Sequence, residues 1–207
     1  MNERTKNEYT FDINGETYWN LPKVYEKIQW HSSVASITTG LMISGLIFAN
    51  NVKVAFELGL ANGFMTQIFG YAMAASCGPE AKLYSLDILE QSVNLSKQKN
   101  IPIQHFGICA DSLAANFADF IKDKIDLAFI DGDHTYPAAH NDISKTLPLM
   151  SEKGIFVIHD YWSHFPGVIQ AVAECFDDSW QKFIIPVRPG EYPSVILQRK
   201  VDPCTIS

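Results

Sequence analysis

The chain carries few of the features that would classify it at a glance. Its four cysteines, Cys77, Cys109, Cys175 and Cys204, are widely spaced and include no C-x-x-C. That excludes a zinc knuckle and a disulfide scaffold. Basic residues are in deficit, with 16 Lys+Arg against 23 Asp+Glu and a net charge of −7. Nucleic acid is therefore not an expected partner, because excess Lys and Arg are what grip its phosphates. No repeat, low-complexity tract or Pro/Gly-rich linker divides the 207 residues, so a single domain is expected. The opening MNERTKNEYTFDINGETYW lacks the apolar run of a signal peptide. With reduced thiols this points to a cytoplasmic chain. Residues 28–52 lack any formal charge and would be long enough for a membrane span. Yet Ser32, Ser33, Ser36, Thr38, Thr39, Ser44, Gly40 and Gly45 interrupt the stretch. A buried helix is expected there, and no membrane.

What is present is an alternation. Hydrophobic residues make up 47% and charged residues 19%, a balance that supports a packed core. Short apolar runs at 52–58, 81–86, 101–106, 125–130 and 154–158 read as strands. Between them, 64–76, 89–100, 112–122, 136–150 and 167–176 read as helices, with one or two more over 22–51. Two last strands fit 182–187 and 194–199, across a turn rich in Pro and Gly. The expected fold is α/β: a doubly wound, seven-stranded, mostly parallel sheet with a C-terminal antiparallel hairpin. An N-terminal arm with helices occupies 1–51, and the core 52–207.

In such sheets ligands bind beyond the carboxyl ends of the strands. The polar residues gather there: Glu57 and Gly59, Asp87, Asp111, then Asp131, Asp133 and His134, then His159 and Asp160. The run ELGLANG holds Gly59 and Gly63 in a G-x-x-x-G spacing. It lacks the G-x-G-x-x-G of dinucleotide binders and the lysine of a phosphate loop. Asp87 offers paired oxygens to a ribose, or equally an N-cap to the next helix.

Together these segments resemble the class I S-adenosylmethionine-dependent methyltransferases, whose sheet is Rossmann-like. ELGLANGFMT (57–66) is similar to their first motif, LYSLD (83–87) to the second, and FGICADS (106–112) to the segment bordering the adenine. The run 129–161, with FIDGDHTYPAAHNDI and IHDY, resembles a narrower branch: metal-assisted O-methyltransferases of small molecules, of the catechol and antibiotic-sugar types. The resemblance implies S-adenosylmethionine as cofactor, with Glu57, Gly59 and Gly63 at its methionine and ribose end. It implies Asp87 on the ribose hydroxyls and Ala110, Asp111 and Ser112 near the adenine. Met65 stands where the family more often has a small hydroxyl residue, and Thr66 beside it takes that role.

The same resemblance implies a divalent cation on Asp131, His159 and Asp160, with Asp131 also touching the cofactor. Oxygen ligands suit Mg²⁺, whereas an imidazole shifts preference towards Mn²⁺ and its neighbours in the series. Two residues compete as the base that takes the acceptor's proton: Asp133, matched to the sugar-type enzymes, and His134, which titrates near neutrality. His31, His105 and His140 read as structural, and Trp162 to Phe165 as an acceptor wall or a loop anchor. The expected acceptor is a small hydroxylated molecule, such as a sugar or polyol. A metal-dependent hydrolase, suggested by D-G-D-H and H-D, and a non-catalytic cofactor binder are the alternatives. A homodimer stays open.

Overall fold

The computed structural model describes residues 11–13, 16–18, 37–185, 187 and 190–200. Two short strands, β1 (Phe11–Ile13) and β2 (Glu16–Tyr18), pair antiparallel within the N-terminal arm, where the sequence pattern signalled none. Of the helices expected over 22–51, α1 (Ile37–Asn50) is described; the rest of that range, with His31, lies outside the described residues.

The core then alternates as expected: β3 (Val54–Leu58), α2 (Phe64–Cys77), β4 (Lys82–Asp87), α3 (Glu90–Lys97), β5 (Gln104–Cys109), β6 (Ile125–Ile130), α4 (Tyr136–Thr146), β7 (Met150–Ile158), α5 (Pro166–Cys175), β8 (Trp180–Ile185) and β9 (Ser194–Arg199). The sheet order is β5-β4-β3-β6-β7-β9-β8. Strands β3 to β7 run parallel, and β9 pairs antiparallel with both β7 and β8. After β5 the chain returns to the far side of β3, so the winding reverses between β3 and β6. A crevice at the strands' carboxyl ends follows from that reversal.

Alternating side chains feed two apolar layers. Phe56, Leu58, Ala128, Ile130, Phe156 and Ile158 face Ala139, Ile143, Val168 and Val172 of α4 and α5. On the other face Ala55, Leu83, Leu127, Phe129 and Val157 meet Ile43, Ile47, Ile68 and Phe69 of α1 and α2. Among the described residues no helix is long and apolar enough to cross a membrane.

Several elements depart from the sequence pattern, among them β7, which begins at Met150 and not at 154, and α3, which stops at Lys97 short of 100. The helix expected over 112–122 does not form; a turn and one 3-10 turn (Phe117–Asp119) stand there. The helix expected over 136–150 stops at Thr146, and Pro148 lies in a 3-10 turn (Leu147–Leu149) before β7 begins at Met150. Proline has no N–H for the helical ladder and disfavours helix in the residue before it. Strand β5 starts three residues later than 101, because Ile101 and Ile103 are drawn into the α2 layer instead.

Gly59 ends β3 with φ 87°, and a Cβ there would lie 1.9 Å from the Asp131 carbonyl oxygen. Gly45, within α1, has open space where its Cβ would stand. Gly59→Ala is expected to cost roughly 2–5 kcal/mol through strain and overlap, and Gly45→Ala to gain about 0.5–1 kcal/mol of helix propensity. Urea unfolding of the two variants checks both signs.

Candidate active site

The site is built where the parallel strands end and their ladder continues into the loops. The Gly59 amide donates to the Leu86 carbonyl at 2.9 Å, the Asp131 amide to Leu58 at 2.8 Å, and the His159 amide to Ile130 at 3.0 Å. Each loop thus leaves its strand at a fixed place, and the side chains that follow are aimed by the sheet. A cavity of about 470 Å³ lies over these ends, within the range of small-molecule sites. Gly59, Asp87, Ala110, Asp111, Ser112, Asp131 and Asp133 all line it, so the structure brings together most of the expected cofactor residues. It adds Ile88, Leu89 and Leu113, all more than half exposed, at the rim.

Asp87 does not cap α3, whose N-cap is Leu89 without a side-chain cap bond; it holds two loop amides instead. Its Oδ2 accepts the Leu60 amide at 2.9 Å and its Oδ1 the Leu89 amide at 2.8 Å. It ties the loops after β3 and β4 together beside the entry to α3. Each carboxylate oxygen keeps a second acceptor position for a ligand hydroxyl. Asp111 and Asp133 hold comparable turns, accepting the Leu113 and Thr135 amides at 2.9 and 2.8 Å.

Three expected cofactor residues lie behind the wall. Gly63 starts α2 in the left-handed region, while Glu57 and Thr66 are fully buried. Glu57 Oε2 accepts the hydroxyls of Thr66 at 2.8 Å and Ser85 at 2.9 Å, and Oε1 has no partner. Ser85 in turn lies 3.1 Å from His105 Nε2. Burial, with smaller contributions from the Asp131 and Asp87 charges, lifts the Glu57 carboxyl to about 8 against the two hydroxyl bonds. Burial and nearby Lys97 lower His105 to about 4. The row Glu57–Ser85–His105 is therefore uncharged at neutral pH and braces β3, β4 and β5.

At the β6 and β7 ends two carboxylates and two imidazoles converge. His134 Nε2 is 2.7 Å from Asp160 Oδ2 and 3.9 Å from Asp131 Oδ1. His159 Nδ1 is 3.3 Å from Asp131 Oδ1 and 3.1 Å from Asp160 Oδ1. Burial works against charge on His159, but Asp131 and Asp160 outweigh it and hold the ring up to about 10. The same two carboxylates raise His134 to about 9. Both acids are correspondingly held below the usual range, against the burial that would raise them. Asp160 adopts φ 55°, a left-handed conformation that Asp tolerates better than most residues.

One ligand atom each from Asp131, His134 and Asp160 falls within 4.8 Å of the other two. Oδ1 of Asp160, Nε2 of His134 and both nitrogens of His159 are buried without a directed hydrogen bond. Buried polar atoms that converge at ion-pair distance without directed hydrogen bonds are what a cation would satisfy. His134 thus joins Asp131 and Asp160 as a ligand candidate, with His159 close behind.

Beyond His134 a second cavity of about 500 Å³ opens between the starts of α4 and α5. Asp133 lines both cavities; His134, Tyr136, His164, Phe165 and Gln170 line the second. The Phe165 ring lies 4.3 Å from that of His134 and 5.6 Å from that of Tyr192. Trp162 and His164 stack on one another, with centroids 6.2 Å apart. Sequence reasoning passed over Asn141 and Lys145, whose i, i+4 spacing on α4 was the available signal.

Comparison with known proteins gives the family and the fold. A family model described as a methyltransferase domain matches residues 56–161, half of the chain. An O-methyltransferase from Bacillus cereus, solved with S-adenosylhomocysteine, superposes at a TM-score of 0.66 with 15% identity, covering 82% of this chain and 84% of that one. An O-methyltransferase of tomaymycin synthesis from Streptomyces achromogenes, solved with S-adenosylmethionine, gives 0.62 at 14%, covering 86% and 89%. A methyltransferase from Podospora anserina bound to S-adenosylhomocysteine gives 0.64 at 14%, covering 95% and 92%. No curated protein matches by sequence.

Glu57→Gln tests the buried carboxyl. A carboxyl raised from 4.5 to about 8 gives stability that is complete below the lower value and lost as pH climbs to the upper. The slope is at most about 1.4 kcal/mol per pH unit. Glu57→Gln removes that slope, so the variant gains on wild type between about pH 5 and about pH 8 in urea unfolding. Taking the difference isolates Glu57 from His134 and His159, whose raised values lose stability only above about 6.5, and from His105, whose lowered value costs stability only below it.

Proposed function

The chain belongs to the methyltransferase-domain family, and from that premise we propose that it transfers a methyl group from S-adenosylmethionine to a hydroxyl of a small acceptor. The observation that carries this reading is one residue with two neighbours: Asp133 forms wall for both cavities. A methyl donor in the first and a hydroxyl in the second would meet at that residue. The family assignment leaves the hydrolase alternative without support.

The adenosine half fits the end of the first cavity formed by Asp87 and residues 110–113. Asp87 takes the ribose hydroxyls on the acceptor positions its two amide bonds leave free. Ile88, Leu89 and Leu113 supply apolar surface for the adenine. When bound, the cofactor supplies an electrophilic methyl carbon, whose bond to sulfur breaks as the bond to the acceptor oxygen forms. The negative charge of Asp131 complements the sulfonium. The rings of Tyr136 and Phe165, with the polar ends of His164 and Gln170, suit a flat, hydroxyl-bearing acceptor.

The acceptor must lose its proton as it attacks. His134 Nε2 faces Asp160 at 2.7 Å and Asp131 at 3.9 Å, so in this reading it serves that cluster and not the acceptor. Asp133 is exposed, and among the described residues its hydrogen bond is the one from the Thr135 amide to Oδ1, which supports Oδ2 as the atom that takes the proton. Asp131, Asp160 and His134, with His159 beside them, fit a divalent cation, and the imidazole favours Mn²⁺ over Mg²⁺. Such an ion would lower the acceptor hydroxyl's pKa.

Two measurements test this. Calorimetry with S-adenosylhomocysteine should show micromolar binding to wild type and at least a tenfold loss, about 1.4 kcal/mol, in Asp87→Ala; no binding to wild type overturns the reading. Turnover, which also separates an enzyme from a non-catalytic binder, should fall on chelation and return with Mn²⁺. Asp133→Asn should lose at least about a hundredfold in turnover at unchanged cofactor affinity. His134→Asn should instead need more Mn²⁺. Full turnover after exhaustive chelation removes the metal, and an active Asp133→Asn beside an inactive, Mn²⁺-saturated His134→Asn makes the histidine the base.

A further inference from the structure

The missing helix at 112–122 has a cause that bears on the cofactor cavity. In a helix the carbonyls of Ser112, Leu113 and Ala115 would accept amides four residues on. Instead all three accept the Lys145 ammonium, at 2.7, 2.8 and 2.8 Å. An ammonium has three donors, and here each is spent on a different carbonyl. Asn141, one turn earlier on α4, adds its side-chain amide to Ser112 at 2.9 Å. The same ammonium lies 5.6 Å from the centre of the buried Phe117 ring, which anchors the far end of the segment in the core.

We propose that Lys145 is a positioning residue for the cofactor: it pins the chain after β5 in a non-helical form, so that residues 110–113 become the adenine-side wall of the cavity. The inference rests on the functional reading above, since it takes that end of the cavity to hold adenosine. Lys145 touches no ligand itself. It acts through backbone carbonyls, so residues 112–115 set the wall by their conformation. The demand is for an ammonium in particular. A guanidinium spreads its donors in a plane, which does not match three carbonyls gathered around one nitrogen.

The test compares wild type, Lys145→Met, Lys145→Arg and Asn141→Ala in the full chain, with S-adenosylhomocysteine and free adenosine as probes. Lys145→Met should lose at least tenfold in affinity for both probes, and by the same factor, because the defect lies at the part they share. The KM for S-adenosylmethionine should rise by a similar factor while kcat at saturation holds. Lys145→Arg should recover only part of the loss, and Asn141→Ala should show a smaller loss of the same kind. Amide hydrogen exchange across 112–117 should speed up in Lys145→Met without any ligand. A merely structural lysine would lower the melting temperature and leave these affinities intact well below it. Wild-type affinity for both probes in Lys145→Met, or unchanged exchange across 112–117, overturns the proposal while leaving the functional reading standing. If Lys145→Met does not fold, an Asn141→Ala variant with wild-type adenosine affinity and a fully active Lys145→Arg overturn it equally. Failure of wild type to bind S-adenosylhomocysteine would instead remove the functional reading and this inference with it.

Discussion

The close approach of the loops after β3 and β6 is the constraint on which the rest of the site depends. The backbone at Gly59 packs against the Asp131 carbonyl so tightly that no side chain fits between them. Because the winding of the sheet reverses between these two strands, their loops diverge above that contact and leave a crevice. Asp87 on one side and Asp131 on the other owe their places to the same contact. The Gly59 and Asp131 amides extend the strand ladders to Leu86 and Leu58, so the geometry of the sheet carries directly into the geometry of the cavity.

Electrostatics sets the second constraint. Asp131 and Asp160 lie close together beside His134 and His159, and stranding either carboxylate without a counter-charge would cost several kcal/mol. The two imidazoles meet that need as cations, or a divalent ion meets it with the imidazoles neutral. Glu57 solves the same problem differently. It stays protonated, with two hydroxyls donating to Oε2 and Oε1 left without a partner. Two kinds of acid thus coexist at the strand ends, ionised ones at the cavity and a neutral one beneath it.

The cavity walls also show how a tertiary contact overrides local preference. Residues 112–122 have helical character in sequence, yet three of their carbonyls are taken by Lys145 on α4. Multiple charge-assisted hydrogen bonds, each stronger than a neutral one, outweigh helix propensities that amount to a few tenths of a kcal/mol per residue.

Much of the fold was legible from periodicity alone. The runs at 125–130 and 194–199 coincide with β6 and β9, and apolar strands alternating with helices admit few arrangements but a parallel sheet. The polar residues at the strand ends were legible for the same reason, since the residue after a buried strand is where the chain regains freedom to carry a charge. Asp87, Asp111, Asp131 and Asp133 were found that way. What lay beyond the sequence was everything that depends on two distant segments meeting. Thr66 carries a hydroxyl in either case; only packing decides that it turns to Glu57 rather than to the cavity. The i, i+4 spacing of Asn141 and Lys145 puts them on one face of α4, but nothing local says what that face meets. The lysine's role appears only when α4 lies beside the chain after β5. Periodicity is a property of neighbours along the chain and is written in the sequence, whereas the partner of a polar group is chosen by the fold.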